Sequence, residues 1–486
     1  MHPPAGSDPR PRAPGDWDVD AFRAAGHELI DWAARYFEGI EGRPVLARVR
    51  PGEIRRSLPA TPPEQPEAWK ELLADLEQRI EPGVTHWNHP GFMAYFGITG
   101  SAPGILGELA SAVFNTNGML WRTNPASTEL EQVVLGWLLE MCDLPRDWFG
   151  QIVDLGSTSA VLALAAAREA CPLLEAREDG LSLHGTPRLR LYTSVEAHSS
   201  VEKAAILLGL GRAGVRKIEV DDRFRMRPEA LATAIEEDRE EGWTPFAVCA
   251  TIGTTSTTSV DPVDALAAIC RREKLWLHVD AAYAGNAAVA PEFRHHFRGC
   301  AEADSYYFNP HKWLFVPIDC SVFFTRHPDT LRRAFQLIPD YLKTSETDAI
   351  NFMDYGFQLG RRFRSIKLWW VIRAFGVEGI RERIRHACTL AQAFAARVDA
   401  EPRLERMAPA EFSVVCFRAV WPDLGPDETD AANEELLERI NRSGEVFLSP
   451  TRVRGAFTLR LAIGNLRTDQ RHVDRVWELL QAGIDG

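Results

Sequence analysis

Between Leu189 and Thr325 the chain alternates short apolar runs with amphipathic stretches of about ten to fifteen residues, a pattern that few folds accommodate. Strands are predicted at Leu189–Ser194, Lys217–Val220, Phe246–Ile252, Trp276–Asp280, Ser305–Phe308 and Cys320–Thr325. Helices are predicted between them at Ser199–Leu208, Pro228–Glu241 and Pro262–Glu273. Strands that alternate with helices form βαβ units, so the expected fold is α/β: a doubly wound, mostly parallel sheet with helices on both faces. Ligands of such sheets sit beyond the carboxyl ends of the strands, which is where chemistry-bearing residues are sought.

The flanks differ from this middle. Residues 1–16, rich in proline and polar groups, read as a disordered tail without the apolar stretch of a signal peptide. Residues 17–85 form a helical segment, with helices predicted at Asp16–Gly39 and Ala68–Ile80 on either side of a proline-rich linker. Two such helices cannot build a core alone and need a larger surface to cover. Residues 86–376 make the large domain, and residues 377–486 a small α+β domain. Its predicted elements are a helix at Val377–Val398, strands at Phe412–Ala419, Val446–Ser449 and Phe457–Ile463, and helices at Asp427–Asn441 and from Asp469.

With 486 residues, 45% hydrophobic and 25% charged, the chain can bury a large core. Its net charge of −13 argues against binding nucleic acid or an anionic membrane. No apolar run is long enough to span a bilayer. The eight cysteines are scattered without a CxxC pair, so reduced, mostly buried thiols in a cytoplasmic protein are expected. No metal site is expected: the adjacent His295 and His296 point in different directions and read as surface residues.

Four short segments carry chemistry. Lys312, in Asn309-Pro310-His311-Lys312-Trp313, follows a buried strand and precedes apolar residues. Desolvation lowers a lysine's pKa, as a Schiff-base lysine requires. Asp280 ends the strand Trp276–Asp280, and a buried carboxylate there needs a partner such as a protonated pyridine nitrogen. Gly156-Ser157-Thr158-Ser159 opens a helix and is an anion site of free N–H groups, or a plain helix cap. His198 follows a strand end, where its imidazole can stack on a planar ring or serve structure alone. Each signal is weak alone; together they place a turn, a histidine, an aspartate and a lysine where strands of one sheet end.

The motifs HVDAAYAG, NPHKW and AHSSVEKA resemble those of the group II pyridoxal-phosphate-dependent decarboxylases, most closely the aromatic-L-amino-acid decarboxylases. The similarity runs from about Phe22 through PGVTHWNHP, MLWRTNPASTELE, PEFRHHF and LGRRFRSIKLWW to LRLAIGN. It implies a fold-type I transferase-like architecture, pyridoxal 5′-phosphate as cofactor, and an aromatic L-amino acid as substrate. It further implies a homodimer with shared active sites, in which the N-terminal helices wrap the partner. By position, Lys312 forms the Schiff base, Asp280 pairs with the pyridine nitrogen, and His198 stacks on the ring and helps place the substrate carboxylate. Gly156 and Ser157 bind phosphate with Asn309 and His311 beside them. Thr255 lies near the cofactor and Ala282 packs on its ring.

Trp87, Tyr95 and Phe96 match aromatic substrate-pocket positions, and Gly360 leaves room for a large side chain. Two departures bear on substrate choice. Ile98 stands where the animal enzymes carry a threonine, and Asn117 and Met119 replace bulkier residues expected from the partner subunit. Nothing proposes a basic or dicarboxylic substrate, and no added arginine or lysine is seen near these positions. Tyr341, in a polar stretch that reads as a lid, matches the tyrosine that protonates Cα. A phenylalanine there accompanies the aromatic aldehyde synthases, so the resemblance favours amine over aldehyde as product.

Overall fold

The structure is a computed structural model that describes residues 16–172, 174–181, 185–337 and 349–485. The chain divides into two compact units, Met1–His86 and Trp87–Gly486.

The first unit carries the helix Val19–Glu38. Asp18 caps it by accepting from the N–H groups of Asp20 and Ala21. The helix leaves Phe22, Leu29 and Ile30 exposed, as is Trp17 just before it, and buries only Ala25 among its own residues. A second helix, Trp69–Asp75, continues as a π turn over Leu76–Ile80.

The second unit is built on a seven-stranded sheet. Its strands are β1 (Phe149–Val153), β2 (Arg188–Ser194), β3 (Val215–Ile218), β4 (Trp243–Thr251), β5 (Trp276–Asp280), β6 (Ser305–Phe308) and β7 (Ser321–Thr325). They lie in the order β1-β7-β6-β5-β4-β2-β3. Pairing is parallel from β3 to β6, and β7 runs antiparallel to both its neighbours. The parallel strands β2, β5 and β6 and the second half of β4 are almost wholly buried, because helices cover both faces, while the edge strand β3 is half-buried. β4, β5 and β6 therefore end together, with Asp280 closing β5 and Asn309-Pro310-His311-Lys312 leaving β6.

A four-stranded antiparallel sheet follows: β8 (Leu404–Arg406), β9 (Val414–Ala419), β10 (Ser449–Val453) and β11 (Ala456–Ala462), in the order β10-β11-β9-β8. One apolar core runs from Met93 and Val134 through Leu277 and Phe308 to Leu459 and Val476. The two sheets of this unit thus share a core.

Three features depart from the sequence reading. β1 and the helices Ala102–Phe114 and Pro125–Met141 precede the predicted alternation. The strand predicted at Val446–Ser449 forms instead at Ser449–Val453, while Phe447 makes a single bridge to Phe92. Its hairpin turn explains the shift: Arg454 and Gly455 both take positive φ, 51° and 83°, which fixes the register of β10 on β11. The helix predicted from Val377 has a helical stretch before it from Ser365, and the break falls at Gly376 with φ 65°.

Candidate active site

Lys312 reaches a cavity of about 380 Å³ at the carboxyl ends of the parallel strands. Trp87, Tyr95, Phe96, Ile98, His198 and Thr255 line the same cavity. The backbone is tightly specified here. The Lys312 N–H donates to Asn309 O at 2.9 Å, and the Asn309 N–H donates to Ala282 O at 2.9 Å, tying the lysine turn to the segment after Asp280. Burial pushes the Lys312 amine down to about 8; the Asp280 charge opposes this and the Arg460 charge adds to it. At pH 7.5 roughly a quarter of such an amine is neutral, against about one in a thousand for an ordinary lysine. The expected consequence is measurable on the protein without cofactor. The rate of Schiff-base formation with pyridoxal phosphate should rise with pH, pass half its maximum near pH 8 and level off above about pH 9. A rate still climbing towards pH 10 would show an ordinary lysine.

Asp280 is 3% exposed. Its Oδ1 accepts from the Ala282 N–H at 3.0 Å, which fixes the carboxylate against the turn that follows β5. Behind it, His278 stacks on Tyr307 at 5.5 Å and shares a hydrogen bond with Ser305 Oγ at 2.9 Å. Burial holds His278 down at about 4, so it is neutral at working pH and leaves Asp280 without a neighbouring imidazolium.

The helix Gly156–Glu169 begins at the end of β1 with no side-chain cap. A Cβ on Gly156 would lie 2.8 Å from Tyr307 Cε2 and 3.1 Å from Asn309 Nδ2, so glycine is needed for this approach. The N–H groups of Gly156 and Ser157 open a cradle beside Asn309, fit for a phosphate. His311, next to it, accepts from the Cys320 N–H on Nδ1 at 3.0 Å. Its proton therefore sits on Nε2, and burial together with the Lys312 charge keeps the ring neutral, at about 3.

His198 caps the helix Ser199–Leu207, with Nδ1 accepting from the Ser200 N–H at 3.2 Å. That bond places the neutral ring's proton on Nε2. Burial lowers its pKa, with Asp280 raising it and Lys312 lowering it. The aromatic wall is a stack: Trp87 on Tyr95 at 5.8 Å, and Phe96 on Tyr283 at 4.0 Å and Tyr283 on Trp313 at 4.5 Å. Lys312 Nζ lies 4.9 Å from the Phe96 centroid.

Asn117, Met119 and Gly360 form a separate group in this chain and do not line the Lys312 cavity. Asn117 Oδ1 accepts from the Met119 and Arg361 N–H groups at 3.1 and 2.9 Å. A Cβ on Gly360 would sit 3.8 Å from Asn117 Nδ2. Tyr341 lies outside the described residues. His295 and His296 have rings 3.9 Å apart, the first bonded to Glu292 O and the second against Phe412.

The sequence reading missed Arg460, which lines the cavity at 3% exposure and corrects the expectation of no added cation there. Its signal was a lone arginine in the apolar run Phe457–Ile463, where a buried charge must have partners. Ile318, Ser256 and Thr451 also line the cavity and had no local signature.

Asp280, Gly156, Ser157 and Asn309 do not line the cavity itself; Asp280 acts electrostatically on Lys312 and His198, and Gly156 lies against Asn309, three residues before Lys312. A lysine of lowered pKa, a strand-end carboxylate and a helix opening at neighbouring strand ends suit a pyridoxal-phosphate enzyme. The comparisons agree. The conserved domain of the pyridoxal-dependent decarboxylases matches residues 51–420. An aromatic-L-amino-acid decarboxylase of Sus scrofa is 42% identical over 470 residues, covering 94% of this chain and 95% of the relative. A phenylacetaldehyde synthase of a Rosa hybrid cultivar is 38% identical over 483 residues, covering 96% and 94%. The solved structure of Oryza sativa TDC with PLP and tryptamine superposes with a TM-score of 0.94 at 36% identity, covering 97% and 99%. The chain belongs to the pyridoxal-dependent decarboxylase family. No helix among the described residues is long and apolar enough to cross a membrane.

Proposed function

We propose that this protein removes the carboxyl group of aromatic L-amino acids and releases the arylethylamine and carbon dioxide. The observation that carries the proposal is the aromatic wall of Trp87, Tyr95 and Phe96 on the cavity that Lys312 enters. When bound, pyridoxal phosphate supplies an electron sink for the pair left at Cα as the carboxylate departs. Lys312 would hold the cofactor through its Nζ, the amine that a substrate's amino group would replace. Asp280 keeps the pyridine nitrogen protonated. Gly156 and Ser157 donate to the phosphate, with Asn309 and His311 beside it, Thr255 near the cofactor and Ala282 against its ring. His198 would lie against the cofactor's ring and, with its proton on Nε2, would donate to the substrate carboxylate. The apolar wall excludes water from Cα, so proton delivery falls to a placed group.

Tyr341 is that group in this reading, and it separates amine from aldehyde as product. Tyr341→Phe is expected to divert product from amine towards aldehyde and ammonia, read by mass analysis. Unchanged amine output would remove Tyr341 from the reaction. Retention of Tyr341 and His198 favours the decarboxylase over the aldehyde synthase.

The active unit is a homodimer in which a second copy brings Asn117, Met119 and Gly360 to the substrate's ring. The exposed apolar residues Trp17, Phe22, Leu29 and Ile30 of the first unit support such a partner. Eight free, buried cysteines suit a reducing cytoplasm. The net charge of −13 argues against nucleic acid as a partner.

A further inference from the structure

Arg460 lies on β11 between Leu459 and Leu461, both fully buried, and is itself 3% exposed. No carboxylate among the described residues pairs with it. Its guanidinium instead spans two backbone carbonyls on different loops. Nε donates to Ser256 O at 3.0 Å, and Nη1 donates to Tyr95 O. Its Cζ lies 4.7 Å from the Phe96 ring centroid. Tyr95 has a positive φ of 51°, an uncommon conformation for a non-glycine residue, which persists only where the surroundings hold it. Ser256 sits in the turn that presents Thr255. That turn is pinned from β10 as well, by a 2.9 Å hydrogen bond between Thr451 Oγ1 and Ser256 Oγ. The Tyr95 N–H likewise donates to Ser449 Oγ at 3.2 Å.

We infer that Arg460 is a positioning residue that braces the cavity, fixing the aromatic wall at Tyr95 and Phe96 against the Thr255 turn. The inference rests on the proposed use of this cavity. The geometry requires arginine: a planar fork can direct separate N–H groups at two carbonyls while its face lies on a ring, whereas one ammonium cannot. The buried cation has a second effect. Lys312 is faced by Asp280 from β5, by His198 from its helix, by its chain neighbour His311 and by Arg460 from β11. Arg460 opposes protonation of Lys312, so its charge favours the neutral amine.

Two variants separate the brace from the charge. Arg460→Lys keeps the charge and loses the fork. It should raise KM by about 10-fold or more, as small misplacements of binding groups do. It should also speed amide exchange around residues 94–97 and 255–257 in the protein without cofactor. Its pH profile for Schiff-base formation at Lys312 should stay near that of the wild type. Arg460→Met should show the same losses and also move that profile to higher pH, because removing a cation stabilises the protonated lysine. Wild-type KM and wild-type exchange in Arg460→Lys would overturn the brace. The exchange measurement needs no turnover, so it tests the brace even if the wild type makes no amine, an outcome that would defeat only the proposed function.

Discussion

Lys312→Ala is expected to abolish steady turnover, with a fall in kcat on the order of 10⁴-fold or more, since groups that act as a unit lose most of their effect together. The protein should still fold, because the Lys312 side chain forms no ion pair among the described residues and ends in the cavity. Cofactor should still be drawn to Gly156, Ser157 and Asp280, but a reducing agent should no longer fix it covalently to the chain. The check is paired: product formation, and retention of cofactor after reduction and denaturation. Undiminished amine output would remove Lys312 from the reaction, and cofactor fixed by reduction in the variant would place the Schiff base elsewhere.

Asp280→Asn is expected to have the next largest effect. Asparagine keeps the shape and can still accept from the Ala282 N–H, but it carries no charge. A carboxylate about 3 Å from a pyridinium is worth about 5 kcal/mol at an effective dielectric of about 20. Losing even most of that is a fall in kcat on the order of 10³-fold. Substrate binding through the aromatic wall should be little changed, so KM should move far less than kcat. A variant within a few-fold of the wild-type kcat would mean that Asp280 serves the strand end and not the cofactor.

The middle of the fold was legible because burial on both faces makes parallel strands read as apolar runs. β5 and β6 were read with their observed limits, and Lys312 and Asp280 followed from where those strands stop. β1 was not read: its run Phe-Gly-Gln-Ile-Val has a glycine and a glutamine at its centre. Gln151 is nonetheless fully buried, its Nε2 donating to Tyr355 O at 2.8 Å, a partner 204 residues away that local pattern does not reveal. β10 was misplaced because Val446 and Leu448 are buried without being paired in a ladder, so apolarity marked the core and not the strand. Arg460 escaped for a related reason. Its partners are carbonyls of Tyr95 and Ser256, and carbonyls carry no residue-type signal. Asn117, Met119 and Gly360 were read from resemblance, and one chain gathers them away from the Lys312 cavity, so a role for them there rests on the proposed second copy.

The central claim is decarboxylation of aromatic amino acids to amines, and product identity from the wild type tests it most directly. The purified, cofactor-loaded protein would be incubated with all common L-amino acids together with the hydroxylated aromatic ones, and each product identified by mass. The account predicts loss of carbon dioxide from tryptophan, tyrosine, phenylalanine or their hydroxylated forms, with the arylethylamine left behind. Aldehyde and ammonia as the main products, or decarboxylation confined to acidic or basic amino acids, would contradict it.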